Sequence, residues 1–122
     1  MIKSILIIDD NSMMREFLKN LLSKIYDIHI CANINEAYNL LSKTVSIDLI
    51  LLDYLLGEDN CLPFLKLIRV SEFYKSTPVF ILSGKQSSEI RIECLRLGAK
   101  DFLTKPFNPN ELKLRIQNLI NE

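Results

Sequence analysis

The sequence predicts an open α/β sandwich: a five-stranded parallel sheet with five alternating helices covering both faces. Three observations carry this. Short apolar, β-rich runs alternate with stretches of helical spacing along the whole chain. The runs "SILII", "IDLILLD" and "VFILSG" are apolar on both faces, as parallel strands buried between helices must be. No repeat, low-complexity tract or linker interrupts the alternation.

The elements follow in order. "SILII" is the first strand, and Ser12 is positioned to cap the helix after it. Met14, Phe17, Leu18, Leu21, Leu22 and Ile25 recur at helical spacing and form that helix's apolar face. "DIHICA" alternates as a strand. Asn35 is read as the cap of the second helix, with Ala37, Leu40 and Leu41 inward. "IDLILLD" is the third strand. "CLPFLKLIRV" is the third helix, its Pro63 tolerated in the first turn. Pro78 opens the fourth strand, "VFILSG". Ser87 or Ser88 caps the fourth helix, and Gly98 stands where a helix-terminating glycine belongs. "KDFLT" is the fifth strand. Asn108, Pro109 and Glu111 mark the start of a last helix with Leu112, Ile116, Leu119 and Ile120 inward.

Composition bounds the function. A chain of 122 residues is one ordinary domain, and 48% hydrophobic residues supply a core without a metal or disulfide staple. Fifteen basic and 15 acidic residues give zero net charge, which argues against a nucleic-acid footprint or a polybasic membrane patch. No apolar run is long enough to span a bilayer, and acids interrupt "MIKSILII" too soon for a signal peptide. Cys31, Cys61 and Cys94 are odd in number, widely spaced and without a C-x-x-C pair. They read as buried thiols in a reducing cytoplasm. His29, alone in an alternating strand, reads as structural.

The polar residues after the strands carry the chemistry. Asp9 and Asp10 follow the first strand, Asp53 ends the third, Ser83 the fourth, and Lys105 follows the fifth. Parallel strands point one way, so these residues gather at the carboxyl edge, where open α/β sheets bind ligands. Three carboxylates in one crevice oppose each other's ionisation, and a divalent cation relieves the conflict. Oxygen-only donors suit Mg²⁺. A carboxylate is a phosphoryl acceptor, while a hydroxyl and an ammonium can bind phosphoryl oxygens. Asp27 and Asp48 precede their strands, lie at the opposite edge, and receive no role.

This set resembles the receiver domain of two-component response regulators, and in particular the single-domain chemotaxis-type regulators, over the whole chain, 1–122. "GAKDFLTKPF" is its most family-specific stretch. The resemblance implies a flavodoxin-like, doubly wound fold. It makes Asp53 the phosphoacceptor, Asp9 and Asp10 the acidic metal pair, and Leu55 the donor of a backbone carbonyl to Mg²⁺. Ser83 stands at the Thr/Ser position, and Lys105-Pro106 matches a Lys-Pro whose peptide bond is usually cis in the family. Phe102 replaces the aromatic, often Tyr, that turns inward on phosphorylation together with Ser83. One loop departs from the family: "DYLLGEDNC" has Gly57 in the usual Pro place and Asn60-Cys61 for Asp-Gly.

The implied function is a signalling receiver that takes phosphate from a histidine kinase or histidine phosphotransfer protein. It is not an enzyme with an external substrate, though it catalyses its own phosphorylation and dephosphorylation. Output passes to a downstream protein or a homodimer through the fourth helix, fifth strand and fifth helix (α4-β5-α5). The alternatives are a stand-alone phosphorelay shuttle, a receiver excised from a longer regulator, and a degenerate interaction module. On the fourth helix, Ile92 and Leu95 are expected to face the core, leaving Ile90 and Leu97 as a partner patch. Met13 and Phe107, with Pro109, are expected at the kinase-docking surface. Two enzyme or cofactor folds fit less well. A haloacid-dehalogenase-type phosphatase carries Asp-x-Asp, not adjacent acids, and a flavodoxin needs a hydroxyl- and Gly-rich phosphate loop where this chain has "DDNSMM".

Overall fold

The computed structural model describes residues 2–120. Five parallel strands form the sheet: β1 (Ser4–Ile8), β2 (Asp27–Cys31), β3 (Leu49–Asp53), β4 (Val79–Ser83) and β5 (Asp101–Thr104). Their spatial order is β2-β1-β3-β4-β5, so the order reverses between β1 and β3 and opens a crevice at the carboxyl edge there. Five helices connect and follow them: α1 (Ser12–Leu22), α2 (Ile34–Leu41), α3 (Leu62–Val70), α4 (Ser88–Arg96) and α5 (Pro109–Ile120). A short antiparallel hairpin, Leu55–Leu56 against Asp59–Asn60, lies between β3 and α3.

Strand periodicity of two divides the core into two layers. Leu6, Ile8, Ile50, Leu52 and Ile81 face α2, α3 and α4, where Ala37, Phe64, Leu65, Ile68 and Cys94 meet them. Ile5, Ile7, Leu49, Leu51, Phe80 and Leu82 face α1 and α5, against Leu18, Leu22, Leu112 and Ile116. Every residue of β3 and β4 is buried. Each fully buried Ile or Leu contributes about 1.5–3 kcal/mol, so the three central strands hold most of the stabilisation.

The helix ends correct several expectations. Asn11, not Ser12, caps α1: its Oδ1 accepts the Met14 N–H at 2.9 Å, and Ser12 is already helical. Asn33, not Asn35, caps α2, and a reciprocal pair closes that end. The Asn33 Oδ1 accepts the Glu36 N–H at 2.9 Å, and Glu36 Oε1 accepts the Ala32 N–H at 2.8 Å. Ser87 caps α4, and the Asn108 side chain accepts from the Asn110 and Glu111 amides at the start of α5. At the end of α4, Gly98 takes φ +99°. Its N–H and that of Ala99 bond back to Leu95 and Cys94, the glycine-terminated end expected there.

The face of α4 is the reverse of the expected one. Ile92 is 52% and Leu95 45% exposed, whereas Cys94 is fully buried and Ile90 and Leu97 pack against the core. Ile90, Cys94 and Leu97 form an i, i+4, i+7 stripe spanning two turns, which covers more core than the single step from Ile92 to Leu95. On α1, Leu18 and Leu22 are buried, but Phe17 is 43% exposed, and Ile25, equally exposed, lies past the end of the helix, so its apolar face is narrower than its sequence implied.

Asp48 and Asp27 lie at the amino edge as expected. Asp48 accepts the Ser4 N–H at 2.8 Å, anchoring the start of β1, and Asp27 lies near His29 Nε2 at 3.6 Å. All three cysteines are buried thiols. No helix among the described residues is long and apolar enough to cross a membrane.

Candidate functional site

Three β-strands deliver carboxylates and a lysine to one point. β1 runs apolar to Ile8 and places Asp9 just beyond its end, buried, with Asp10 exposed beside it. β3 ends on Asp53, which is only 8% exposed. An oxygen from each of Asp9, Asp10 and Asp53 lies within 4.8 Å of the others, the one such cluster of acids among the described residues. Lys105, after β5, reaches back across the edge. Its Nζ is 3.0 Å from Asp9 Oδ2 and 3.2 Å from Asp53 Oδ1. The Lys105-Pro106 bond is cis, as the resemblance implied.

Local hydrogen bonds fix each acid. The Asn11 N–H donates to Asp9 Oδ1 at 2.9 Å, and Arg15 Nη1 donates to the Asp9 carbonyl at 2.8 Å. The Gly57 N–H, at the hairpin turn, donates to Asp10 Oδ2 at 2.9 Å. Gly57 has φ +73°, a left-handed conformation that favours glycine. Neither the Arg15 clamp nor the Gly57 contact was inferred from the sequence. The Gly-Glu step between "LL" and "DN" is, however, the signature of a two-residue hairpin turn.

Electrostatics single out Asp53. Burial pushes its carboxyl up to about 6, reinforced by Asp9 and more weakly by Asp10, and opposed by the Lys105 ammonium. Lys105 pairs with two of the three carboxylates and Arg15 bonds only the Asp9 carbonyl, which leaves an excess of negative charge. The donors are all oxygen and all anionic, so the residues fit a hard divalent cation such as Mg²⁺. Leu55 lies two residues past Asp53, in the first strand of the hairpin.

Ser83 ends β4, one residue beyond the Leu82 that registers with Asp53. It is buried. Its Oγ accepts the Lys85 N–H at 2.9 Å, and its carbonyl accepts the Lys105 N–H at 2.7 Å. Phe102 on β5 is half-buried, packed against the core under α2, α3 and α4. It lines a shallow 250 Å³ cavity with Gln86, Ser87, Arg91 and Thr104.

The residues expected at partner surfaces separate into two groups. Met13 is 82% exposed beside the acids. Phe107 is half-buried against the α1–α5 layer, its ring 6.5 Å from Phe17. Ile90 and Leu97, by contrast, serve the core, and the exposed apolar residues of α4 are Ile92 and Leu95.

The chain matches the family model of the response regulator receiver domain over residues 5–117. It is 35% identical to the transcriptional regulatory protein SrrA of Staphylococcus aureus over 121 residues. That match covers 98% of this chain and 48% of SrrA, so the chain spans about half the length of the curated relatives it matches. Among solved structures, Vibrio cholerae chemotaxis protein CheY4 superposes with a TM-score of 0.90 at 28% identity, covering 98% of this chain and all of CheY4 (100%). The receiver domain of Francisella response regulator 1452 does so at 0.85 and 32%, covering 96% of this chain and 95% of that one. The sheet order, the covering helices and the family match agree: the chain belongs to the response regulator receiver domain family.

Proposed function

We propose that Asp53 accepts a phosphoryl group from the phosphohistidine of a histidine kinase or histidine phosphotransfer protein. The observation that carries this is a single ammonium, Lys105, bridging Asp9 and Asp53 within a cluster of three acids. Asp9, Asp10 and Asp53, with the Leu55 carbonyl, would hold Mg²⁺. When bound, the ion supplies neutralisation of the charge on the transferring phosphoryl oxygens.

The chain's own residues do the rest. An Asp53 carboxylate oxygen attacks phosphorus; the P–O bond forms as the bond to the histidine nitrogen breaks. With its pKa held near 6, Asp53 is mostly ionised at neutral pH and available as the nucleophile. Lys105 then exchanges part of its pairing with Asp53 for a phosphoryl oxygen. The Ser83 hydroxyl leaves the Lys85 amide and donates to another, and Phe102 turns inward over the space Ser83 vacates. Hydrolysis of the same acyl phosphate resets the domain, which therefore acts as a signalling module in the cytoplasm rather than on an external substrate.

The switched surface is α4, β5 and α5, read by a downstream protein or a second copy. On α4 its exposed apolar residues are Ile92 and Leu95, which replace Ile90 and Leu97 in that role. Met13 and Phe107 sit where a kinase or phosphotransfer helix would dock.

The test uses Mg²⁺ and a small phosphodonor such as acetyl phosphate. The expected product is one hydroxylamine-labile phosphate per chain, absent in chelator and in Asp53→Ala. Labelling that persists in Asp53→Ala, or none in the wild type, refutes the assignment and favours a degenerate interaction module.

A further inference from the structure

Asp9 is buried, and each of its polar atoms is engaged. Its N–H donates to the Cys31 carbonyl at 3.1 Å. The Asn11 N–H donates to its Oδ1 at 2.9 Å, and Lys105 Nζ lies 3.0 Å from its Oδ2. There remains the carbonyl, which belongs to the peptide joining Asp9 to Asp10. Its donor is Arg15 Nη1, at 2.8 Å. A buried carbonyl needs such a partner; deprived of it, the peptide turns toward water.

Asp10 has far less to hold it. It is exposed, and among the described residues the one hydrogen bond to its carboxylate comes from the Gly57 N–H, which meets Oδ2 at 2.9 Å. Its direction is therefore set at two points, by the peptide plane at its root and by Gly57 at its tip. Release of that peptide frees the ψ of Asp9 and the φ of Asp10, the torsions that aim the Asp10 side chain. Repulsion from Asp9 and Asp53 then drives the carboxylate outward into solvent.

Arg15 is built into this turn twice. It is half-buried at the fourth position of α1, and its own N–H donates to the Asn11 carbonyl at 3.0 Å, closing the first turn of the helix. Its guanidinium forms no ion pair with an acid among the described residues. A guanidinium next to Asp9 that bonds the carbonyl and not the carboxylate holds the backbone and not the charge.

We propose that Arg15 is a positioning residue of the metal site: it fixes the Asp9–Asp10 peptide, so that the Asp10 carboxylate is kept within reach of Asp9 and Asp53 before Mg²⁺ arrives. The role rests on the Mg²⁺ site proposed above. Folding, rather than the ion, then gathers the like charges, and the ion binds more tightly for it. Arg15 acts through Asp9 and Asp10 and need not approach the metal.

The sign of the effect separates positioning from electrostatics. Loss of a nearby cation should tighten the binding of a dication. Loss of a clamp should weaken it, by about tenfold or more, as happens when the hydrogen bonds that orient metal ligands are removed. A role confined to stabilising α1 should lower the unfolding midpoint and leave the affinity of the folded protein unchanged.

The full chain and Arg15→Met are titrated with Mg²⁺ and followed by amide NMR shifts of the folded protein. Arg15→Met is expected to bind at least about tenfold more weakly than wild type. Unchanged or tighter binding overturns the proposal, whatever the variant's stability. A second readout needs no metal. In chelator, the Gly57 amide of Arg15→Met should lose the protection from hydrogen exchange that its bond to Asp10 gives, while the Lys43 amide, bonded to Leu40 in the turn after α2, keeps its rate. Equal Gly57 exchange in the two proteins overturns the proposal. A wild type that binds no Mg²⁺ overturns the metal site instead, and Gly57 exchange then decides alone whether Arg15 positions Asp10. If Arg15→Met does not fold, Arg15→Gln, polar but too short to reach the Asp9 carbonyl, takes its place with the same expected results.

Discussion

Replacing Asp53 by Asn should make the metal-free protein more stable, although it removes a paired charge from the candidate site. Asp53 pairs with Lys105 at 3.2 Å but also lies within 4.8 Å of oxygens on both Asp9 and Asp10. At an effective dielectric of about 20, the pair attracts by about 5 kcal/mol and each carboxylate repels by about 3–4 kcal/mol. The two repulsions exceed the one attraction, and removing a buried charge also relieves its desolvation. Screening of the exposed Asp10 reduces the net relief to about 1–3 kcal/mol, or about 4–12 °C in Tm for a domain of this size.

The direction of the pKa agrees. A carboxyl raised to about 6 keeps a proton that the unfolded chain releases near its ordinary value of 3.8. Its contribution to stability is therefore greatest below that ordinary value and is lost as pH rises through about 6. The variant's advantage should appear above pH 6 and vanish near pH 4. Urea unfolding in chelator at pH 7.5 and pH 4, with reductant present, measures both. Added Mg²⁺ should narrow the gap by stabilising the wild type, by about 1.4 kcal/mol at ten times its dissociation constant. An Asn variant no more stable than wild type in chelator at pH 7.5, or equally favoured at pH 4, refutes the electrostatic account of the site.

Lys105→Met should have the opposite sign, costing about 2–4 kcal/mol in chelator, because it strands Asp9 and Asp53 without their shared cation. In an Asp53→Asn background the loss should shrink, which a double-mutant cycle by urea melts would show. Gly98→Ala should destabilise by at least about 1 kcal/mol, since φ is +99° and a Cβ would lie 2.8 Å from Arg69 Cδ. Gly84→Ala, with nothing within 4 Å of its Cβ, should be close to neutral; urea unfolding measures both glycine variants. Tyr74→Phe should cost about 1–2 kcal/mol by removing the hydroxyl that donates to the Val45 carbonyl at 2.6 Å, leaving that acceptor without its partner.

Strands and site were legible in the sequence for one reason, which is that burial on both faces permits few residue types. "ILII", "LILL" and "VFIL" could only be central strands, and the first polar residue after each had to appear at a common edge. Lys105 was legible because its position after β5 put a cation at the same edge. The inward face of α4 was not. With apolar residues at 90, 92, 94, 95 and 97 the helix offers two stripes, and the choice between them is made by the core layer it packs on rather than by the helix. The caps failed for a similar reason. Asn33 and Asn35, or Asn11 and Ser12, are near-equivalent acceptors locally, and chain entry from the preceding strand decides which backbone amide lies within reach.

The loop after Asp53 shows how a local departure from family pattern can leave a site intact. Where the family usually carries Pro ahead of Asp-Gly, this chain folds back on itself, pairing Leu55 with Asn60 and Leu56 with Asp59. The turn this requires puts Gly57 at positive φ, and the amide so presented donates to Asp10. At its base, the Tyr54 amide donates to Leu82 on β4 and the Tyr54 carbonyl accepts from Cys61 at the start of α3. The loop is thus held at its tip by a candidate metal ligand and at its base by the strand next to Asp53. Rigidity that a proline supplies through a fixed φ is supplied here by hydrogen bonds to the site itself. Charge at Asp10 and the geometry of the loop are therefore coupled: whatever draws on the Asp10 carboxylate also acts on the Gly57 amide, and through the hairpin on Cys61 at the start of α3.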